Sequence, residues 1–127
     1  MIAAMNKKLL ILTIIIVVFF GAVYWLYPIK SQPTVGKYDE FAKCLASSGV
    51  TMYGAYWCSH CQNEKKSFGS SFQYVPYVEC TQDPNLCLEK GVQAYPTWIF
   101  SDGRKFTGEQ GLLKLSEISG CKLPSKY

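Results

Sequence analysis

Histidine is all but missing from this chain of 127 residues: His60 stands alone. One imidazole excludes the multi-histidine sets that build many catalytic zinc sites. A surplus of basic charge is missing too. The formal net charge is +4, but Lys7, Lys8 and Lys30 supply three of the positives. Beyond Gly36 the chain has ten basic and nine acidic residues, which leaves no electrostatic footprint for nucleic acid. Internal repeats and low-complexity segments are absent, which argues against solenoids and arrays. Finally, Leu9 through Tyr27 contains no charge of either sign.

That uncharged run of nineteen residues is the first positive feature. As a helix it would be about 28 Å long, close to the thickness of a bilayer core of about 30 Å. Tyr24, Trp25 and Tyr27 fall at its far end, where aromatic rings favour the membrane interface. Lys7 and Lys8 favour a cytoplasmic N-terminus, although Lys30 weakens the bias. A cleaved signal peptide has a shorter apolar part ending in small residues, whereas this run ends in bulky aromatics. The expected organisation is a cytoplasmic N-terminus over 1–8, a transmembrane signal-anchor helix over 9–27, a linker over 28–36 and one extracytoplasmic, for instance periplasmic, domain over 37–127. Pro28, Pro33 and Gly36 discourage regular structure in the linker.

Within the domain, Tyr38, Phe41, Ala42 and Leu45 have helical spacing, which predicts a helix over 37–48. Thr51 to Trp57 predicts a strand, and a helix follows from Cys58 to Phe72. A second strand is expected over 74–80 with Pro76 near its start, where the missing N–H does least harm. Asp83 and Pro84 cap and start a short helix that ends at Gly91. Strands over 97–101 and 104–107 flank the Asp102-Gly103 turn, and a last helix runs over 111–119. This order predicts an α/β fold with a four-strand mixed sheet and helices on both faces.

Six cysteines in so small a chain suit an oxidising compartment. Cys58 and Cys61 form a Cys-Ser-His-Cys motif at the junction of strand and helix. The first turn of a helix has unpaired N–H groups and a partial positive charge, which favour a thiolate over a thiol. The thiolate is the attacking species in disulfide exchange. His60, when protonated, adds positive charge beside it. A closed zinc site needs two further ligands, and the spacing of Cys80 and Cys87 is unusual for zinc, so no metal site is expected. Cys80 and Cys87, around the Pro84 turn, can come within disulfide reach, and a Cys44–Cys121 bridge would tie the ends of the domain together. A second redox pair at Cys80 and Cys87, or free buried cysteines, are the alternatives.

Trp57-Cys58-Ser59-His60-Cys61, followed further along by Tyr95-Pro96-Thr97, resembles the thioredoxin superfamily over residues 37–121. The resemblance implies a thioredoxin-like fold, a cis Pro96 beside the cysteine pair, and a substrate groove that includes the Tyr95 backbone. The wording Met-Tyr-Gly-Ala-Tyr-Trp-Cys-Ser-His-Cys-Gln over 52–62, Val-Pro-Tyr-Val-Glu-Cys over 75–80, and Tyr-Pro-Thr-Trp over 95–98 is most similar to the thioredoxin-like domain attached to bacterial vitamin K epoxide reductase homologues. That implies a protein thiol–disulfide oxidoreductase exchanging with secreted proteins and coupled to a quinone-linked membrane partner on a separate polypeptide, with no cofactor of its own. Cys58, expected to be the exposed sulfur, would form the mixed disulfide, Cys61 resolve it, and Trp57 and Tyr95 offer an apolar docking surface. Tyr56 and Trp98 are expected in the core. Where thioredoxin has a buried aspartate, this chain has Met52, so the usual proton acceptor is missing. Glu64 is expected in solvent, while Glu79 can approach through water. A reductant for cytochrome assembly and a copper metallochaperone are the rival functions.

Overall fold

The computed structural model describes residues 6–27 and 35–125. Most of the expected linker, with Lys30, and the first five residues lie outside the described residues. The chain divides into two units, 1–33 and 34–127. The first contains helix α1 (Lys7–Leu26), twenty residues that are long and apolar enough to cross a membrane.

The second unit is built on a sheet of strands β1 (Thr51–Gly54), β2 (Tyr77–Glu79), β3 (Thr97–Ile99) and β4 (Lys105–Thr107), ordered β2-β1-β3-β4. Strands β1 and β2 are parallel, with Met52 opposite Tyr77 and Gly54 opposite Glu79. Strand β3 runs antiparallel to both β1 and β4. Helices α2 (Asp39–Ser47), α3 (Ser59–Phe68), α4 (Pro84–Glu89) and α5 (Gly111–Ser119) complete the unit, with a 3-10 turn over Gly69–Tyr74. The fold is thioredoxin-like.

Side chains alternate across a strand, and the sheet uses both faces. Met52 and Trp98 pack with Phe41 and Leu45 of α2, Phe68 of α3 and Leu115 of α5 in the main core. The Phe68 ring stacks on Phe41 at 5.8 Å and lies 6.2 Å from Trp98. Tyr53 belongs to a second, smaller cluster, with Cys80, Cys87, Val78 and Ile99. Burying one such apolar side chain contributes about 1.5–3 kcal/mol, so the three-ring stack is a principal anchor of α3.

Several elements are shorter than their sequence signals. Strand β1 stops at Gly54 rather than Trp57, because the chain turns there, with Cys58 N–H donating to Ala55 C=O at 3.1 Å. Tyr56 is consequently 68% exposed instead of packed in the core, while Trp98 is fully buried. Helix α3 ends at Phe68 rather than Phe72, since Gly69 takes φ +58°, a left-handed value that glycine accommodates without Cβ strain. Tyr74 closes the 3-10 turn and leaves β2 to start at Tyr77. The Asp83 cap forms, its Oδ1 accepting from Leu86 N–H at 3.1 Å.

Two disulfides fasten this frame: Cys44 to Cys121, with 77 residues of separation, and Cys80 to Cys87, with 7. Both have Cα–Cα distances of 5.8 Å. Loop-closure entropy grows with loop length, so the bridges are unequal. Replacing Cys44 and Cys121 by alanine is expected to cost about 4–5 kcal/mol, against about 2–3 kcal/mol for Cys80 and Cys87. Urea unfolding of the two double variants, followed by circular dichroism, checks the order.

Candidate functional site

Cys58 occupies the N-cap of α3, as its position between a turn and a run of helix formers dictates. Its sulfur accepts the Cys61 N–H at 3.2 Å, taking up one of the donors that a helix start leaves unpaired. The two sulfurs are 2.6 Å apart, with the Cys61 thiol donating to Cys58. They are the free cysteines among the described residues; the other four are bridged. Such a pair can close to a disulfide and reopen with little side-chain movement.

Neither sulfur is openly exposed. Cys61 retains 1% of its surface and Cys58 7%, which corrects the expectation of an exposed Cys58. Access comes from a groove of about 600 Å³, with Trp57 to His60 on one side and Val92 to Tyr95 on the other. The Tyr95–Pro96 peptide is cis. The Pro96 ring is buried, and its carbonyl accepts from Gly108 N–H at 2.7 Å. Trp57, 61% exposed, meets Tyr95 edge-to-face with ring centres 6.0 Å apart. The residues expected to dock a substrate are thus brought together at the rim of the groove. The Cys80–Cys87 bridge is buried in the cluster that also supports Tyr95.

The surroundings divide the two thiols electrostatically. Burial is the main force pushing the Cys61 thiol up to about 12, with its hydrogen bond to Cys58 adding to it; the Ala55 backbone and the Lys65 charge act against this. His60 lines the groove beside Cys58 and has a partner that the sequence does not announce. Its Nδ1 lies 2.8 Å from the Glu109 carboxylate, which engages the imidazole in an ion pair when it is protonated. The hydrogen bond from His60 holds Glu109 below the usual carboxylate range.

Sequence reasoning places Glu64 in solvent, and the structure corrects this. Glu64 is 2% exposed and accepts the N–H groups of Gln110 at 2.7 Å and Gly111 at 2.9 Å, at the start of α5. Burial raises its pKa, and those two hydrogen bonds partly offset the rise. The signal for its position is in the helical period: Cys61, Glu64 and Phe68 share the buried face of α3. Glu79 is half-buried beside the site and more tightly held than the sequence suggests. It accepts from the Tyr77 hydroxyl at 2.7 Å, the Thr81 hydroxyl at 2.7 Å and the Tyr56 N–H at 3.1 Å. Burial alone would raise Glu79, but the hydrogen bonds outweigh it and hold the carboxyl below its ordinary value. Tyr77 enters the sequence reading only within the second strand and the 75–80 wording, with no role of its own. Among the described residues, no group of three or more histidine, cysteine or acidic side chains is placed to hold a metal ion.

No family model matches the chain. Over 91 residues it is 38% identical to the thiol-disulfide oxidoreductase LTO1 of Arabidopsis thaliana, covering 65% of this chain and 24% of that protein. Over 91 residues it is 31% identical to the thioredoxin domain-containing protein 5 homolog of Drosophila melanogaster, covering 63% of this chain and 22% of that one. Among solved structures, Fasciola hepatica thioredoxin has 22% identity and a TM-score of 0.44, covering 63% of this chain and 89% of its own. The chain spans about a quarter of the length of the curated relatives it matches. Sheet order, cysteine pair and these sequence relatives agree on a thioredoxin-like domain.

Proposed function

We propose that the protein is a membrane-anchored thiol–disulfide oxidoreductase facing the extracytoplasmic space, with Cys58 and Cys61 as its redox pair. The observation that carries the reading is the pair itself. Two free sulfurs lie 2.6 Å apart at the start of α3, at the edge of a groove, while the other four cysteines are bridged. The names of the relatives support the same chemistry. Helix α1 supports the anchor, and Lys7 and Lys8 at its start support a cytoplasmic N-terminus. In this reading 9–27 spans the bilayer, 28–36 is a linker, and 37–127 acts outside the cytoplasm.

We further propose oxidation as the working direction. A substrate thiolate attacks Cys58 Sγ of the disulfide form. The Cys58–Cys61 bond breaks, and Cys61 leaves and takes up a proton. A second substrate thiolate then attacks the substrate sulfur of the mixed disulfide, forming the substrate disulfide and releasing Cys58 as thiolate. Two electrons now rest on the Cys58–Cys61 dithiol. They pass to a quinone-linked membrane partner of the vitamin K epoxide reductase type, the partner suggested by the motif wording over 52–62, 75–80 and 95–98. Trp57 and Tyr95 form the docking edge for the substrate, with the buried cis Pro96 setting the course of the Tyr95 backbone, and His60, beside Glu109, adds positive charge at the mouth when protonated.

Two measurements test this. In the full chain in detergent, the reduction potential of Cys58–Cys61 is expected above about −180 mV; a value near −270 mV would replace the oxidase reading with that of a reductant for partner thiols. The second concerns the difference between the thiols. With the Cys61 thiol pushed up to about 12, that residue stays protonated through neutral pH. Iodoacetamide at pH 7 is expected to label Cys58 alone, with Cys61 labelling only as the pH approaches that value in the Cys58→Ser variant. Mass spectrometry of labelled peptides reads the order, and equal labelling of both at pH 7 would contradict the division of roles.

A further inference from the structure

Cys61 must give up a proton when it closes on Cys58 and regain one when that bond opens. It is 1% exposed, so the proton needs a route through protein. Met52 of β1 offers no acceptor, being fully buried and apolar. The carboxylate of Glu64 is spent on the N–H groups of α5. Lys65 sits with its Nζ 3.5 Å from the centre of the Tyr77 ring in a cation–π placement, and an ammonium has no lone pair to accept a proton.

Gly54 reveals what remains. A Cβ on Gly54 would stand 2.9 Å from Cys61 Sγ and 3.4 Å from the Tyr77 hydroxyl oxygen. The sulfur and the phenol therefore crowd the same face of a residue that has no side chain to separate them. The Tyr77 hydroxyl donates to Glu79 Oε2 at 2.7 Å, which turns its oxygen lone pairs to other donors. Glu79 is half-buried, so its carboxylate reaches water. Its other oxygen is held by Tyr56 N–H and by Thr81, which fixes the carboxylate for the phenol. Negative charge on Cys61 and Cys58 acts on Tyr77 directly, adding to the burial and the Glu79 contact that push the phenol pKa up.

We propose that Tyr77 and Glu79 form the proton route of Cys61, carrying a proton between its buried sulfur and solvent each time the Cys58–Cys61 bond closes or opens. The inference rests on the redox role proposed above. On closing, the Cys61 S–H proton passes to the Tyr77 oxygen as the phenol proton passes to Glu79. The Cys61 sulfur attacks Cys58 Sγ of a mixed disulfide, and the substrate thiolate leaves and takes a proton from water. Glu79 returns its proton to water. Opening runs the same steps in reverse, so that Cys61 departs as a thiol. The charged and titratable groups facing Cys61 are Cys58 and Lys65 from α3 and, through Tyr77, Glu79 from β2.

The test uses the full reduced chain in detergent and a peptide disulfide with a different dye on each half. Release of the first half reports attack by Cys58; release of the second reports attack by Cys61. Tyr77→Phe keeps the ring that Lys65 and Phe72 pack against. It is expected to slow the second release about 100-fold at pH 7, in the range of a lost acid–base group, and to leave the first within about twofold. Glu79→Gln, which can accept the phenol hydrogen bond but not the proton, is expected to act in the same direction. The pH profile separates relay from support. In the parent, Glu79 is ionised through neutral pH, so the second release is expected to be flat there and to fall only in acid, as Glu79 protonates below its ordinary range. In Tyr77→Phe the rate is expected to rise about tenfold per pH unit, because hydroxide must take the proton. A variant that matches the parent rate and profile overturns the relay alone. A parent that exchanges no disulfide overturns the redox role and the relay with it.

Discussion

The hydrogen bond from Cys61 N–H to Cys58 Sγ is the contact on which the site depends. A helix start leaves its first N–H groups without partners, and side-chain oxygens usually accept them. Here a sulfur does so, and that sulfur is most acceptable to the donors when it is an anion. The cap therefore links helix geometry to thiol chemistry: whatever fixes α3 also fixes the charge environment of Cys58. Phe68 fixes the far end of α3 in the ring stack with Phe41 and Trp98. Glu64 fixes its middle by accepting two N–H groups of α5. Gln62 fixes the approach, its side chain donating to Tyr56 C=O at 2.8 Å.

Two cysteines three residues apart on one helix end are thus placed in unlike surroundings. Cys58 receives the N–H of the helix start and borders a groove. Cys61 lies one turn in, against Gly54, where removal from water disfavours its charge. A pair of equal thiols would attack substrate from either sulfur. In the proposed reading burial divides the roles, with the sulfur that borders the groove meeting substrate and the inner one waiting in its protonated form. The cost is a proton that has to enter and leave a closed space, which is why the polar groups around Gly54 matter more than their distance from the groove suggests.

Much of this was legible in the sequence, because it rests on local signals. The Cys58–Cys61 spacing, the Asp83-Pro84 helix start and the Gly111–Ser119 helix are read from residues adjacent in the chain, and a four-strand mixed sheet follows from the order of elements. The misreadings concern contacts between distant segments. Tyr56 was assigned to the core because it continues an apolar run, but the turn at Ala55 takes it to the surface. Glu64 looked solvated because charge usually is; its partners are the backbone N–H groups of Gln110 and Gly111, which no side-chain pattern announces. Proximity in sequence sets His60 beside the thiols, but its partner Glu109, far along the chain, is not announced there.

Gly54 shows how one position can join these levels. Glycine inside a strand generally costs backbone entropy and packs nothing. In the sheet Gly54 stands opposite Glu79 and beside the sulfur of Cys61, at a point where any Cβ would collide with that sulfur. The missing side chain is what lets the inner thiol sink beneath the start of α3 and face a phenol on the neighbouring strand. Strand β1 therefore stops where it does for two reasons at once. Its last residue must be small enough to admit Cys61, and the turn that follows must bring Cys58 round to cap the helix from which Cys61 descends.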